Sequence, residues 1–306
     1  MTMIDLHMHS KYSNDGEFTV HELVKKCAEQ GITIMSITDH NCARANAEAI
    51  PAAAEKGIVY IPGIEIDCTY ANTNFHMLGY GIDYLSPDFD DIEKSIRSQG
   101  LAVSLKMLEK TQALGFHVTE KEMWNLSKDS YWAETWTGEM FAEVLLSKPE
   151  YADNNLLMPY RAGRERGDNP YVNFYWDFYS QGKPCYAEVQ YPQMEKIIDI
   201  IHQNNGFAVL AHPHVNLKGK TTLLEGIIHL GIDGMEAYSS YHSPSQSSNT
   251  AVKAKRHHLF TTCGSDFHGK TKPSISLGKH GCLITEEEMK MQIKRLVKSN
   301  FAKFLA

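Results

Sequence analysis

The chain has 306 residues, of which 42% are hydrophobic and 22% charged, with a formal charge of −7. That length suits one large α/β domain or a domain carrying a sizeable insertion, and the acidic balance argues against a broad basic surface for duplex nucleic acid. No apolar run reaches the ~18 residues of a membrane span, no basic-then-apolar leader opens the chain, and Cys27, Cys42, Cys68, Cys185, Cys263 and Cys282 form no C-x-x-C pair, so a cytoplasmic protein with reduced thiols is expected.

In chain order, "MIDLHMH" reads as a strand. "TVHELVKKCAEQG" is a helix with Thr19 as N-cap, Glu22 three residues on and Gly31 as its stop. "ITIMSITDH" is the next strand. "ARANAEAIPAAAEKG" is a helix interrupted at Pro51, and "IVYIPGIEIDC" and "FHMLGYGID" are further strands. Strand and helix at this spacing imply βα units and a parallel sheet. Ser86-Pro87 opens a long helix through Gly115. From there to about residue 184 no strand is convincing, and residues 88–184 are taken as a mostly helical insertion (cap) between barrel segments 1–87 and 185–306. The alternation returns with helix "YPQMEKIIDIIHQNNG", strand "FAVLAHPH", helix "TTLLEGIIHLG" and strand "IDGMEAYSS". Then come "SPSQSSNTAVKAKRHH", helical in its second half, strand "LFTTCGSDFHG" and a closing helix from Glu286.

Histidines and acids gather at the strand ends. His7 and His9 are two apart on a strand and so face one way. Asp39 and His40 close the second strand, Glu65 sits near the end of the third, and His76 opens the fourth. His212 ends "FAVLAH", and Asp266 and His268 follow the last strand. In a barrel of parallel strands such ends converge on one face. Imidazole and carboxylate together, without cysteine, suit Zn, Mn or Fe. A set this large exceeds one tetrahedral ion. It predicts two or three divalent ions sharing a bridging carboxylate, an arrangement that favours phosphoryl transfer to water.

The segments "DLHMHS", "SITDHN", "PGIEI", "FHMLGYG", "VLAHPH" and "CGSDFHG" resemble the PHP (polymerase and histidinol phosphatase) family. The resemblance implies a distorted TIM-like barrel of about seven βα units, a (β/α)7 barrel, with a trinuclear metal site. It implies that His7, His9, Glu65 and Asp266 hold one ion. Glu65 would bridge to a second, bound also by His76 and His212, and Asp15, His40 and His268 would hold a third. Asp15, His40, Asp266 and His268 are the expected catalytic residues, around a metal-bridging hydroxide that attacks phosphorus. The helical insertion, "QGKPCY", "AHP" and "GSDFH" are most similar to the small phosphoesterases of nucleoside 3',5'-bisphosphates and oligonucleotide ends. Histidinol phosphate or cyclic phosphate hydrolysis, a metal-dependent amidohydrolase and a non-catalytic nucleotide sensor remain alternatives.

The expected partner is a small phosphorylated, nucleotide-like molecule, not duplex nucleic acid or a membrane. His242 in "SSYHS" matches a phosphate-contacting histidine of the family, and His214 is a candidate substrate contact. Arg161, Arg164 and Arg166 either fork onto a second phosphate or form a solvated basic turn. Trp124, Trp132, Trp136 and Trp176 either stack on bases or pack the insertion. Glu236, in "GMEAY", is a candidate either for a partner behind the ligands or for a substrate contact.

Overall fold

In the computed structural model, residues 3–297 are described. Eight strands are present among them: β1 (Ile4–Asp5), β2 (Ile34–Met35), β3 (Val59–Tyr60), β4 (Gly63–Tyr70), β5 (Thr73–Tyr80), β6 (Phe207–Leu210), β7 (Gly234–Ser239) and β8 (Phe260–Gly264). They form a parallel three-stranded sheet, β1-β2-β3, and a five-stranded sheet, β4-β5-β6-β7-β8. The sheets meet at two seams made of isolated bridges. At one, Met8 lies beside Phe267, Leu6 N–H donates to Cys263 O, and Asp266 N–H donates to His7 O. At the other, His40 lies beside Glu65. The ladders therefore do not close a continuous barrel.

The first helix, α1 (Val20–Glu29), has the capping box read from Thr19 and Glu22. Helix α2 (Ala45–Glu55) runs through Pro51 without the expected interruption. Pro51 and Ala47, whose carbonyl loses its i+4 donor, both lie on the exposed face, where water serves that carbonyl.

Strand geometry corrects the sequence reading in three places. "IVYIPGIEIDC" is two strands, because Pro62 has no N–H for a ladder. Glu65 consequently lies near the start of β4. Strand β5 runs antiparallel to both β4 and β6. Its link to β4 is a two-residue turn at Ala71 and Asn72, with φ of 47° and 57°. That is hairpin geometry without the usual glycine. The reversal brings the early part of β5, with His76, to the site. Strand β6 stops at Leu210, and α8 (Pro213–Leu217) begins directly after His212.

Between β5 and β6 the described residues hold α3 (Pro87–Ala113), α4 (Glu120–Ser127), α5 (Gly138–Ser147), α6 (Pro170–Phe178) and α7 (Met194–Gln203). Trp136, Phe141, Phe174 and Tyr179 bury together among α3–α6. Helix α7 covers the sheet, placing Ile197 and Ile201 against Ile64 and Ile66. Helices α9 (Thr222–His229), α10 (Pro244–Arg256) and α11 (Glu286–Ile293) complete the fold. The α10 helix begins at the start of its segment, not in the second half: Ser243 caps it, Pro244 fits the first turn, and Gln246 closes a capping box. The end of the expected last helix, beyond residue 297, lies outside the described residues.

Candidate metal centre

Alternation along β4 sends Ile64, Ile66 and Cys68 into the core under α7 and leaves Glu65 and Asp67 together on the other face. The register then sets His76 opposite Asp67. His7 and His9 come in from the segment after β1, and Asp266 and His268 from the segment after β8. Gly264 allows that approach, since a Cβ there would stand 2.2 Å from His7 Cβ. His212 enters with φ 21° and Asp266 with φ 57°, both in the region disfavoured for side-chain-bearing residues.

All nine expected ligands come together. One group is His7, His9, Glu65 and Asp266, a second is Glu65, His76 and His212, and a third is His9, Asp15, His40 and His268. A fourth, His40, Asp67 and His76, adds an acid the sequence reading missed. The signal was present, because Asp67 follows Glu65 by two on one strand. Glu65 divides its oxygens: Oε2 lies 3.1 Å from His7 Nε2 and 3.2 Å from His9 Nε2, while Oε1 lies 2.9 Å from His76 Nδ1 and 3.1 Å from His212 Nε2.

Several of these donors are close but unbonded. His9 Nε2, Asp15 Oδ1, His40 Nδ1, Asp266 Oδ1 and His268 Nε2 are buried without a hydrogen-bond partner. Orphaned buried polar atoms are costly. Converging from five positions, they fit cations of the kind this donor set prefers.

The far sides of the rings are committed. His7 Nδ1 faces Glu236 Oε1 at 2.9 Å, His9 Nδ1 faces Ser13 Oγ at 2.9 Å, His212 Nδ1 faces Asn216 Oδ1 at 2.8 Å, and His268 Nδ1 faces the Asp266 carbonyl at 2.9 Å. Each acceptor holds the ring proton on Nδ1 and leaves the Nε2 lone pair for the centre. Ser13 can accept because its own hydroxyl donates to Asp39 Oδ1 at 3.0 Å. Asp39 also takes Ser10 N–H and Oγ–H, and burial outweighs these bonds to push it up to about 6.

Electrostatics divides the rings. Burial, with the neighbouring His268 and His40, pulls His9 down to about 4. Burial alone would lower His76, but the charges of Glu65 and Asp67 outweigh it and push the ring up to about 9. His7 is likewise raised, against its burial, by Glu65, Glu236 and Asp266. Burial opposes ionisation of Glu65, and the surrounding rings overcome it, holding the carboxyl well below its usual range.

The expected substrate contacts divide. His242 Nδ1 donates to Ala237 O, and its buried Nε2 has no partner. His214 packs 4.9 Å from it, with Nε2 on Thr250 Oγ. Arg161 donates to the Leu146 and Tyr151 carbonyls, Arg166 binds Asp177, and Arg164 is exposed. Among the described residues none of the three has a bond or ion pair to the histidine cluster.

Trp136 and Trp124 pack together in the helical core. Trp132 instead donates its indole N–H to Tyr12 O, in the loop that carries Asp15. Trp176 stands against Tyr241, which in turn meets His212. Sequence reasoning also missed Glu139 on α5. It is only 7% exposed, and burial together with the charge of Asp15 pushes it up to about 7.

The PHP domain family model matches residues 5–207. The chain belongs to the PHP family. It is 29% identical to the 3',5'-nucleoside bisphosphate phosphatase of Chromobacterium violaceum, over 91% of each chain. It is 29% identical to the 5'-3' exoribonuclease Rnm of Escherichia coli K12, over 90% of this chain and 88% of that one. The solved structure of an amidohydrolase from C. violaceum, holding sulfate and no metal, superposes with a TM-score of 0.72 at 27% identity, covering 90% and 91% of the two chains. No described helix of this PHP chain is long and apolar enough to cross a membrane.

Proposed function

We propose that this chain is a metal-dependent phosphoesterase that hydrolyses a phosphate monoester of a small nucleotide-like substrate, such as a nucleoside 3',5'-bisphosphate or a 5'-phosphorylated short oligonucleotide. The observation that carries the reading is Glu65, whose two oxygens serve two separate sets of histidines in a buried site. Phosphatase and exoribonuclease relatives support the reaction class. A neighbouring fold that holds sulfate, a tetrahedral dianion like phosphate, supports the ligand.

His7, His9, Glu65 and Asp266 would hold one divalent ion, Glu65, His76 and His212 a second, and Asp15, His40 and His268, with His9 beside them, a third. Mn, Fe and Zn all suit the donors. Such ions supply an acidified water and positive charge for the phosphate oxygens. The chain's own residues do the rest. Glu236, Ser13 and Asn216 fix ring tautomers. His242 has its Nδ1 proton committed to Ala237 O and a buried Nε2 without a partner, which would grip a phosphate oxygen by donating once that nitrogen takes up a proton. Residues 88–184 form a helical cap over a distorted barrel made by the two sheets, and Glu139 is the acid this cap contributes near Asp15. The reading places the protein in the cytoplasm with a diffusible substrate.

The test is phosphate release by Mn-reconstituted protein. The panel holds a nucleoside 3',5'-bisphosphate, a 5'-monophosphate and histidinol phosphate, with His9→Ala as control. Cyclic phosphate opening, N-acyl amide cleavage and RNA shortening, which need not free phosphate, are followed separately by chromatography. Turnover of a phosphoester that the control abolishes is expected. Turnover of the amide alone would move the assignment to a C–N hydrolase.

A further inference from the structure

Asp266 directs only one of its oxygens at the histidines. Oδ1 lies 3.2 Å from His7 Nε2 and 3.0 Å from His9 Nε2. Oδ2 is held elsewhere, by Lys272 Nζ at 2.8 Å and by the Tyr241 hydroxyl at 2.6 Å. The lysine side chain is only 8% exposed. Among the ion pairs of the described residues, this is the one that joins a lysine or arginine to an acid of the cluster.

The local fold explains how a lysine comes to lie there. After His268 the chain turns at Gly269, whose φ of 79° suits glycine, and Lys272 N–H closes the turn on Gly269 O. Thr271 in the same turn donates its hydroxyl to the Asp15 carbonyl at 2.8 Å. One short segment therefore braces both the Asp15 loop and Asp266.

We propose that Lys272 is a positioning residue of the metal centre: with Tyr241 it confines Asp266 to a single coordinating oxygen, and its fixed charge trades tightness of metal binding for electrophilicity of the bound ions. The physical basis is twofold. A cation this near the ions repels them in a poorly screened interior. It also draws carboxylate charge away from the metal side, so an ion bound through Asp266 keeps more of its own positive charge for substrate. Two of the carboxylate's acceptor positions are filled by protein donors, which leaves Oδ1 free for a metal.

The turnover part rests on the phosphoesterase reading, whereas the metal part does not. Lys272→Met keeps the stem and removes the charge, and Tyr241 still satisfies Oδ2. The experiment measures Mn retained against increasing chelator, by elemental analysis, and turnover of the best panel phosphoester with Mn in excess. Lys272→Arg serves as the charge-conserving variant, and Lys272→Gln gives a second neutral variant should the methionine protein not fold.

The expected result has opposite signs. The neutral variant retains Mn about tenfold more tightly and turns over about tenfold more slowly, the scale of effects behind a ligand, and the arginine variant stays near the parent. A merely structural lysine would lose metal and turnover together on removal, and that result, or unchanged metal retention, overturns the proposal. If the parent protein binds Mn and cleaves no phosphoester, the functional reading fails, while metal retention still decides the role of Lys272.

Discussion

Glu236 stands directly behind His7, its Oε1 2.9 Å from the ring Nδ1, and its other oxygen takes the backbone N–H of His212 at 2.8 Å. One fully buried carboxylate thus orients a ring and a strand end that belong to two different groups of ligands. Glu236→Gln keeps the shape and removes the charge. Metal affinity should fall by roughly 10- to 100-fold, the usual cost behind a histidine ligand, with little change in the far-ultraviolet spectrum. Metal content after dialysis against a graded chelator measures it.

Metal uptake should release protons. In the metal-free protein His76 is raised to about 9, and His7 is raised from its ordinary 6.5, so both rings are protonated near neutrality. Ligation requires them neutral. Apparent affinity should rise about tenfold per pH unit for each proton released, and titration calorimetry in buffers of different ionisation enthalpy counts those protons. The sign for folding runs the other way. Each raised ring stabilises the metal-free fold fully below 6.5, and that contribution is lost as pH rises through the folded value, about 9 for His76. Thermal melts of metal-free protein from pH 6 to 10 check this.

Trp132→Phe tests how the helical segment holds the Asp15 loop. The substitution keeps the aromatic face and deletes the indole donor to Tyr12 O. A half-buried carbonyl left without its donor can turn partly to water, so the cost is about 1 kcal/mol, the net worth of an ordinary hydrogen bond. A lowered melting temperature is expected, together with loss of the ion nearest Asp15 before the others in a chelator titration.

Arg161→Ala should lower stability without touching turnover. Its guanidinium caps the Leu146 and Tyr151 carbonyls, so the loss of two bonds to a charged donor is worth about 2–4 kcal/mol. A KM that rose sharply at unchanged stability would instead restore the second-phosphate role.

Gly264→Ala should abolish the centre. The added methyl would meet His7 Cβ at 2.2 Å and Glu236 Oε1 at 2.7 Å. Neither atom is free to yield, because His7 is fixed by Glu236 and by the bonds that join its segment to the one after β8. Little folded, metal-loaded protein should be recovered on size exclusion.

Much of this centre was legible because its donors fall in short local patterns. H-x-H and D-x-H set ligand-type side chains two residues apart. Both pairs lie just past the ends of β1 and β8 and Asp266 has left-handed backbone, so strand alternation is not what aims them. The Thr19 capping box is a signal contained within four residues. The features that escaped depend on partners far along the chain. The hairpin at Ala71–Asn72 lacks the glycine that usually announces such a turn, so β5 was read as parallel. The burial of Lys272 depends on Asp266 being aimed inward, and that of Glu139 on helices packed after the turn. The three arginines near residue 164 left a phosphate fork and a solvated basic turn both open, because sequence alone does not reveal which carbonyls an arginine will meet.

The seam that joins Leu6 to Cys263 and His7 to Asp266 has a consequence for how the protein is made. Seven of the grouped donors, from His7 to His76, leave the ribosome ahead of the helical segment, whereas His212, Asp266 and His268 emerge behind it. Until the last strand appears, the nascent chain displays imidazoles without the aspartate that completes their first group or the strand that anchors them. Productive loading of metal therefore waits until Asp266 and His268 have emerged. A message truncated before Gly264 would yield a polypeptide able to scavenge metal ions but not to organise them.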